Sequence, residues 1–184
     1  MKFNKTLVAL AAVAFPMMAS AATSGATGTT EVQGGQVRFE GEVVNAACAV
    51  DNESRDKLVQ MGQVRVADFD SVGTEAGGNS FTLSLVDCDT SVQTTAAINF
   101  QGNVAATDTQ ALAINTLAGS AKGVGIHLYN EDGSAVTFNE ASSYSKNLIE
   151  GTNVFNYRAT YVSTDATVEP GVANAVAQFT VTYS

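Results

Sequence analysis

The sequence is poor in the residues from which most active sites are built. It has no tryptophan, one histidine, two prolines and two cysteines, and only 15% of its 184 residues are charged. No base–nucleophile arrangement can be assembled around the single histidine, His127. Phosphate-binding glycine loops, paired zinc ligands and a nucleophile-elbow motif are also missing. These absences predict a protein that is not an enzyme and that uses no cofactor.

His127 and two acid pairs are the remaining candidates for chemistry, and each has a simpler interpretation. His127 lies on the less apolar face of an alternating segment, so we expect its side chain to face solvent. The acids are Asp68 with Asp70 and Asp87 with Asp89. A calcium loop needs more oxygen ligands at fixed spacing and a tight glycine turn, and neither pair continues in that way. We therefore expect solvated acids at turns or strand ends.

The first 21 residues have the pattern of a signal peptide. Lys2 and Lys5 form a positive segment, residues 7–15 are apolar, and Ala19-Ser20-Ala21 is a small-residue cleavage motif. The apolar run is too short to span a bilayer, which takes about 20 residues. The sequence therefore predicts export, with cleavage between Ala21 and Ala22 and no membrane insertion of the mature chain.

The charge balance of the mature chain is strongly acidic. Without Lys2 and Lys5, seven basic residues stand against eighteen acidic ones. Such a surface repels nucleic acid and anionic lipid, so neither is expected as a partner. The remaining length of about 163 residues suits one domain with an additional arm.

Cys48 and Cys88 are the only cysteines. In an exported chain an even pair predicts one disulfide bond. A metal site is the weaker alternative, because it would need histidines or further cysteines nearby. Closing a loop of about 40 residues stabilises a fold by roughly 4 kcal/mol in the chain-entropy model.

Short alternating segments separated by turn signals predict an all-β protein, and their spacing predicts a β-sandwich. No segment has a sustained helical period, so any helix should be a single turn in a loop. Residues 68–79, with three glycines, are expected to form a loop. The predicted strands cover residues 37–44, 46–50, 58–66, 81–85, 96–100, 112–117, 124–128, 135–138, 154–162 and 173–183.

The two ends of the mature chain share one feature. Residues 33–41 and 178–184 both alternate apolar and polar side chains, as strands with one buried face do. The first follows a polar arm with no evident partner in its own domain, and the second runs to the last residue as a possible open sheet edge. An arm without a sheet and an edge without a neighbour suggest subunits that complete one another in a polymer.

Several motifs together give the chain a specific resemblance. It resembles the major subunits of type 1 fimbriae and related chaperone–usher pilins over essentially its whole length, most loosely between residues 91 and 151. The matching segments are Gly34-Gly35-x-Val37-x-Phe39-x-Gly41 continuing to Asp51 through Cys48, Val59 to Arg65, Leu85-x-Asp87-Cys88-Asp89-Thr90, and Gly171 with the penultimate Tyr183.

The resemblance implies an incomplete immunoglobulin-like β-sandwich that lacks its seventh strand. A periplasmic chaperone is expected to fill the resulting hydrophobic groove, and an outer-membrane usher to mediate assembly. The arm of the next subunit then replaces the chaperone, a reaction called donor-strand exchange. By the family pattern Gly35, Val37 and Phe39 face the groove. The same pattern assigns the chaperone-docking C-terminal strand to Gly171, Phe179, Val181 and Tyr183.

The resulting prediction is a structural subunit of an extracellular fimbrial rod that supports bacterial adhesion. Its expected organisation is a signal peptide at 1–21, a donor arm at 22–36 and a pilin domain at 37–184. The alternative is a minor tip or adaptor subunit, or an adhesin module that binds a host glycan. Adhesins usually carry an additional N-terminal lectin domain, whereas here the pilin-like region begins almost at the mature N-terminus. The length of the chain therefore favours the rod subunit.

Overall fold

The computed structural model describes residues 31–184 and shows an all-β protein. The predicted signal peptide, its cleavage site at Ala21 and Ala22, and the first part of the predicted arm lie outside the described residues. The strands are β1 (Ala49–Val50), β2 (Glu75–Cys88), β3 (Thr95–Gln101), β4 (Leu112–Ala113), β5 (Val124–Tyr129), β6 (Lys146–Asn147), β7 (Gly151–Ser163) and β8 (Gln178–Tyr183).

The strands form two antiparallel sheets. One has five strands in the order β1-β2-β7-β5-β4, and the other has three in the order β6-β3-β8. The longest pairing joins β2 to β7, with Phe81 opposite Tyr157 and Leu83 opposite Phe155. In the smaller sheet β3 pairs with β8 from Ala96 opposite Tyr183 to Gln101 opposite Gln178. β1 and β8 are therefore both edge strands.

The core lies between the two sheets and is built by alternation along the long strands. On β7 the side chains of Phe155, Tyr157, Ala159 and Tyr161 are buried, as the period of two predicts. On β3 the buried side chains belong to Ala96, Ile98 and Phe100 of the opposite sheet.

Aromatic rings connect the two layers of the core. Phe100 of β3 meets Tyr157 of β7 edge to face, with the ring centroids 5.1 Å apart. Tyr157 in turn stacks on Phe81 of β2 at 5.4 Å. Such pairs contribute about 0.5–1.5 kcal/mol beyond the apolar area they bury.

β2 begins earlier than the sequence predicts, because the expected loop at 68–79 is wrong for its last residues. The register between β2 and β7 shifts between Ala76 and Asn79, so Gly77 and Gly78 form a bulge inside the strand. Both glycines have positive φ angles, 63° and 125°. A Cβ on Gly78 would lie 2.6 Å from the carbonyl oxygen of Ala159, so only glycine fits there.

Three predicted strands are wrong in this structure. Residues 31–45 contain neither helix nor strand, residues 58–65 form no ladder before the 3₁₀ turn that begins at Val66, and residues 135–138 make only an isolated bridge. Met61 and Val64 nevertheless pack against the core. These two side chains are three residues apart, on either side of Gly62, so a strict period of two does not describe which side chains of the segment are covered.

The predicted strand at 173–183 is also shorter than expected, since β8 starts at Gln178. Likewise, β4 covers only two of the six residues predicted at 112–117. The helices are single turns, as expected: α1 spans Asn52–Arg55 and a 3₁₀ turn spans Val66–Asp68. No helix within residues 31–184 is long and apolar enough to cross a membrane.

Candidate functional site

A groove of about 670 Å³ opens between β1 and β8, the two facing edges of the sheets. Its lining comes from residues that precede and follow β1 and from the end of the chain. The lining residues are Glu42, Val44, Ala46, Cys48, Ala49, Val50, Arg55, Asp56 and Val176 to Val181 with Tyr183. The groove lies where one further strand would join the two sheets.

The inner wall of the groove is the apolar face of β8. Phe179, Val181 and Tyr183 are half-buried and pack against the core, whereas Thr180 and Thr182 are exposed. This is the orientation that their shared parity predicts. The side chains of Phe179, Val181 and Tyr183 are thus only partly covered by the core. Their remaining apolar surface is available to a strand added along β8.

Within the described residues β8 pairs with β3 alone, so its second edge is open. An open edge presents a row of backbone N–H and C=O groups that a further strand can pair with. The open edge and the half-covered side chains lie along the same strand. One inserted strand could therefore gain backbone hydrogen bonds and bury side chains together.

A disulfide bond and a hydrogen bond connect chain segments at one end of the groove. Cys48 and Cys88 form the predicted disulfide, which joins the chain before β1 to the end of β2. The hydroxyl of Tyr183 donates a hydrogen bond of 3.2 Å to the carbonyl oxygen of Cys48. Burial raises the pKa of this phenol, which keeps the hydroxyl protonated as a donor. The penultimate residue therefore ties the two sheet edges together.

Charged residues on the groove lining were not found by the sequence analysis. The guanidinium of Arg55 lies 3.1 Å from the carboxylate of Glu42, and both side chains are largely exposed. Asp56 follows directly on the same wall. No sequence signal marks these residues, because the single helical turn that carries Arg55 is set by the turn after β1.

The three predicted donor residues lie in the segment that precedes Glu42, where the chain divides into two units. The side chains of Val37 and Phe39 are 77% and 90% exposed. No atom lies within 4 Å of the position that a Cβ on Gly35 would take. Val37 and Phe39 are therefore large apolar side chains that are not covered in the described structure.

Gly171 does not lie in the C-terminal strand, which begins seven residues later. Instead its backbone packs against the loop Gly119–Ala121, and a Cβ there would be 2.4 Å from the backbone nitrogen of Ala121. Val172 and Ser120 form a parallel bridge at the same point. The absence of a side chain at residue 171 thus serves a close approach of two backbone segments.

His127 lies on the face of β5 opposite to the core residues Ile126 and Leu128, as predicted, but the expectation that its side chain is exposed to solvent is wrong. Its side chain is only 15% exposed, because Glu75 of β2 and Asp108 of a neighbouring loop cover it. These partners are 52 and 19 residues away along the chain, so no local pattern could have indicated them. Of the acid pairs, Asp68 bonds to Arg65, and these hydrogen bonds lower the pKa of its carboxyl group.

The fold and the groove together define a class of protein. Two sheets that are left open between β1 and β8 form an incomplete immunoglobulin-like sandwich, from which one strand is missing.

Comparison with known proteins identifies the family. Residues 37–184 match the family described as Fimbrial protein. The chain is 42% identical to the Type-1 fimbrial protein, A chain, of Escherichia coli, over 97% of this chain and 98% of that protein. It is 41% identical to the Fimbrial subunit type 1 of Klebsiella pneumoniae, with the same coverage.

Solved structures agree with this assignment. A chaperone–usher pilus subunit, solved in work on rod uncoiling, superposes with a TM-score of 0.70 at 28% identity and covers 84% of this chain and 99% of that one. The P pilus rod subunit PapA has a TM-score of 0.64 at 24% identity, which supports the fold. The chain belongs to the fimbrial protein family and is a structural subunit of a fimbrial rod at the cell surface.

Proposed function

We propose that this subunit polymerises by donor-strand exchange, in which residues 33–41 of one copy fill the groove of the next. The observation that carries the proposal is the match between two alternating faces. Phe179, Val181 and Tyr183 offer three half-covered side chains at a spacing of two residues. Gly35, Val37 and Phe39 have the same spacing, so an added strand can present all three of them to the groove.

The energetics favour such an exchange. Val37 and Phe39 are largely exposed in the described structure. Burying them in the groove would contribute roughly 1.5–3 kcal/mol each. One donor segment and one groove per subunit make a heterologous interface, which continues as a fibre unless it closes into a ring.

The proposed organisation follows from this reaction. Residues 1–21 are removed as a signal peptide, 22–36 form the donor arm and 37–184 form the pilin domain. The alternation that continues to Phe39 indicates that donor residues extend into the first part of that domain. Since it has a structural role and its only histidine is held between two carboxylates, we infer that the subunit has no catalytic activity.

The proposed partners before assembly are a periplasmic chaperone and an outer-membrane usher. A free groove with an open β8 edge is an aggregation hazard, so a protein that covers it in the periplasm is needed. We assign β8 as the edge that the chaperone pairs with. Removing residues 180–184 should therefore abolish chaperone capture, because it deletes most of that edge together with Val181 and Tyr183.

The proposal is tested by supplying the donor strand within one chain. A second copy of Glu31–Val44 is attached behind Ser184 through a short flexible linker, which gives the donor a high effective concentration. We expect a soluble monomer with a higher melting temperature than the parent chain. The matched control carries Val37→Ser and Phe39→Ser in the appended copy alone. If the fusion is no more soluble or heat-resistant than this control, the groove does not bind residues 33–41.

A further inference from the structure

A polar cluster on the outer face of the larger sheet is not used by the groove. Its centre is His127 on β5. The Nδ1 atom of the ring lies 2.8 Å from a carboxylate oxygen of Glu75, and the Nε2 atom lies 2.8 Å from a carboxylate oxygen of Asp108. The side chains of these two acids are only 27% and 29% exposed. The cluster thus joins β2, β5 and the loop at residues 104–111.

This geometry fits a protonated ring. A neutral imidazole has one N–H donor, so it can satisfy only one of two acceptors placed on opposite sides. A carboxylate accepts hydrogen bonds and does not donate them when it is ionised. Only the imidazolium ion donates to Glu75 and Asp108 together, and its charge strengthens both bonds.

Loss of the proton should break one bond before the other. Glu75 also accepts hydrogen bonds from the hydroxyls of Tyr129 and Thr160. Burial opposes ionisation of Glu75, but these bonds together with the His127 ring hold the pKa of its carboxyl group below the ordinary value. Glu75 is thus fixed, and a neutral His127 keeps its remaining proton on the Glu75 side. Its Nε2 lone pair then faces the Asp108 carboxylate.

Asp108 anchors a loop that has few other side-chain hydrogen bonds to the rest of the domain. Its Oδ2 atom is bonded to His127, and its Oδ1 atom accepts the backbone N–H of Gln110 within the same loop. The hydroxyl of Thr107 donates to the carbonyl of Thr164, which is the other side-chain tie from this loop to the domain. The loop leads into β4, the edge strand of the larger sheet. The two ends of the loop are held by packing, since Val104 contacts the core and Ala111 is fully buried. The ring nitrogen therefore anchors the part of the loop around Asp108.

We infer that His127 is a pH-sensitive clamp, which holds the part of the 104–111 loop around Asp108 against the larger sheet when protonated and releases it when neutral. The other charged groups at the cluster do not reverse this direction. Burial and a hydrogen bond to Glu75 raise the pKa of Tyr129 to about 12, so it keeps its proton while histidine titrates. Arg158 of β7 stacks on the ring of Tyr129, 4.9 Å from its centroid.

The clamp is tested on fimbriae sheared from cells that produce this chain. Hydrogen–deuterium exchange with mass spectrometry follows the backbone amides of the loop. The N–H of Ala105 donates to the backbone carbonyl of Ala111, and the N–H of Ala111 donates to the backbone carbonyl of Asp108. Exchange is measured from about pH 5 to about pH 10 and corrected for its intrinsic pH dependence, a range that brackets ordinary histidine titration. Slow exchange of the C2 proton of the ring reports protonation, and only one histidine contributes.

We expect protection of the loop to fall about tenfold as His127 loses its proton, the factor of one charge-assisted hydrogen bond at a partly exposed site. In Asp108→Asn the amide can donate to a neutral Nε2, so the pH dependence should disappear. The matched control is Asp132→Asn, which changes an exposed turn acid elsewhere and should keep the dependence of the parent.

Three results would overturn the clamp. The first is loop protection that stays constant while the ring titrates. The second is a ring that does not change protonation over the whole range, since there is then no switch. The third is an Asp108→Asn variant with the same pH dependence as the parent.

Discussion

The hydroxyl of Tyr183 donates a hydrogen bond to the carbonyl oxygen of Cys48 across the end of the groove. This contact joins the edge of the smaller sheet to the segment that enters the larger one. It also fixes the penultimate residue beside Cys48, which forms the disulfide with Cys88. The proposed donor strand would thus meet a groove whose far end is already positioned.

Removing this hydroxyl should loosen that end of the groove. The protein to measure is the fusion that carries a second copy of Glu31–Val44 behind Ser184, the self-completed fusion. We expect Tyr183→Phe to lower its free energy of unfolding by about 1 kcal/mol, the usual contribution of one hydrogen bond. The melting temperature should fall by about 2–4 °C. Tyr144→Phe is the matched control, because the Tyr144 hydroxyl makes no hydrogen bond within residues 31–184. An equal loss in both variants would contradict a specific role of the Tyr183 contact.

The disulfide should be needed for accumulation of the subunit. Cys48 and Cys88 are 40 residues apart, so losing the bond costs about 4 kcal/mol in the chain-entropy model. We expect Cys48→Ser to reduce the amount of subunit in the periplasm strongly, as measured by immunoblotting. Ala118→Ser, at an exposed position, is the control for adding a hydroxyl. Mass mapping that finds both thiols free in the mature wild-type protein would exclude this explanation.

Gly35 should tolerate no side chain once its segment is in the groove. We expect Gly35→Asn to reduce assembled fimbriae severely and leave the folding of the pilin domain intact, since nothing surrounds this position in the described structure. The loss arises from a collision of the new side chain with the groove wall. Gln36→Asn is the control on the opposite face of the strand. Sheared fimbriae in ordinary amounts from the Gly35 variant would contradict the proposed register.

Sequence patterns predicted those parts of the fold that depend on local alternation or on covalent chemistry. The buried face of β7 follows from its period of two, and the disulfide follows from two cysteines in an exported chain. The shared parity of Phe179, Val181 and Tyr183 correctly indicates that these side chains pack against the core. These features need no knowledge of distant neighbours.

The features that sequence analysis missed depend on contacts distant in the chain. In the sequence alone, Gly77 and Gly78 indicate a loop, and only the pairing of β2 with β7 shows that they form a bulge. His127 looks solvent-facing until Glu75 and Asp108 are brought to its two nitrogens. Residues 58–66 are predicted as a strand but form no ladder within residues 31–184, because Met61 and Val64 can pack against the core without a paired backbone.

Gly171 gives a prediction that separates packing from the groove. A Cβ at this position would meet backbone atoms of Ser120 and Ala121 at 2.4 Å, and backbone cannot move aside as a flexible side chain can. We expect Gly171→Ala to destabilise the self-completed fusion by about 1–3 kcal/mol. Gly41→Ala at its original position, and not in the appended copy, is the control, because nothing lies within 4 Å of that glycine. Equal urea midpoints for the two variants would show that the backbone approach at residue 171 is not required.

Glu75 should make the stability of the fold depend on pH in acid. Burial by itself raises the pKa of this carboxyl group, but hydrogen bonds from Tyr129, His127 and Thr160 bring it below the ordinary value of 4.5. A carboxyl group with a lowered pKa in the folded state stabilises that state above its unfolded pKa, and the contribution is lost as the pH falls through the folded pKa.

We therefore expect the fusion with the appended donor strand to unfold at lower urea concentrations as the pH falls below about 4.5. In Glu75→Gln the stability near neutral pH should be lower, and this part of the acid dependence should be missing, because an amide does not titrate. The exposed Glu53→Gln keeps the acid dependence of the parent if the effect belongs to Glu75. If the stability of the parent and of Glu75→Gln instead changes with pH in the same way, the three hydrogen bonds do not favour the ionised carboxylate. The carboxyl group would then bind its proton equally well in the folded and the unfolded state.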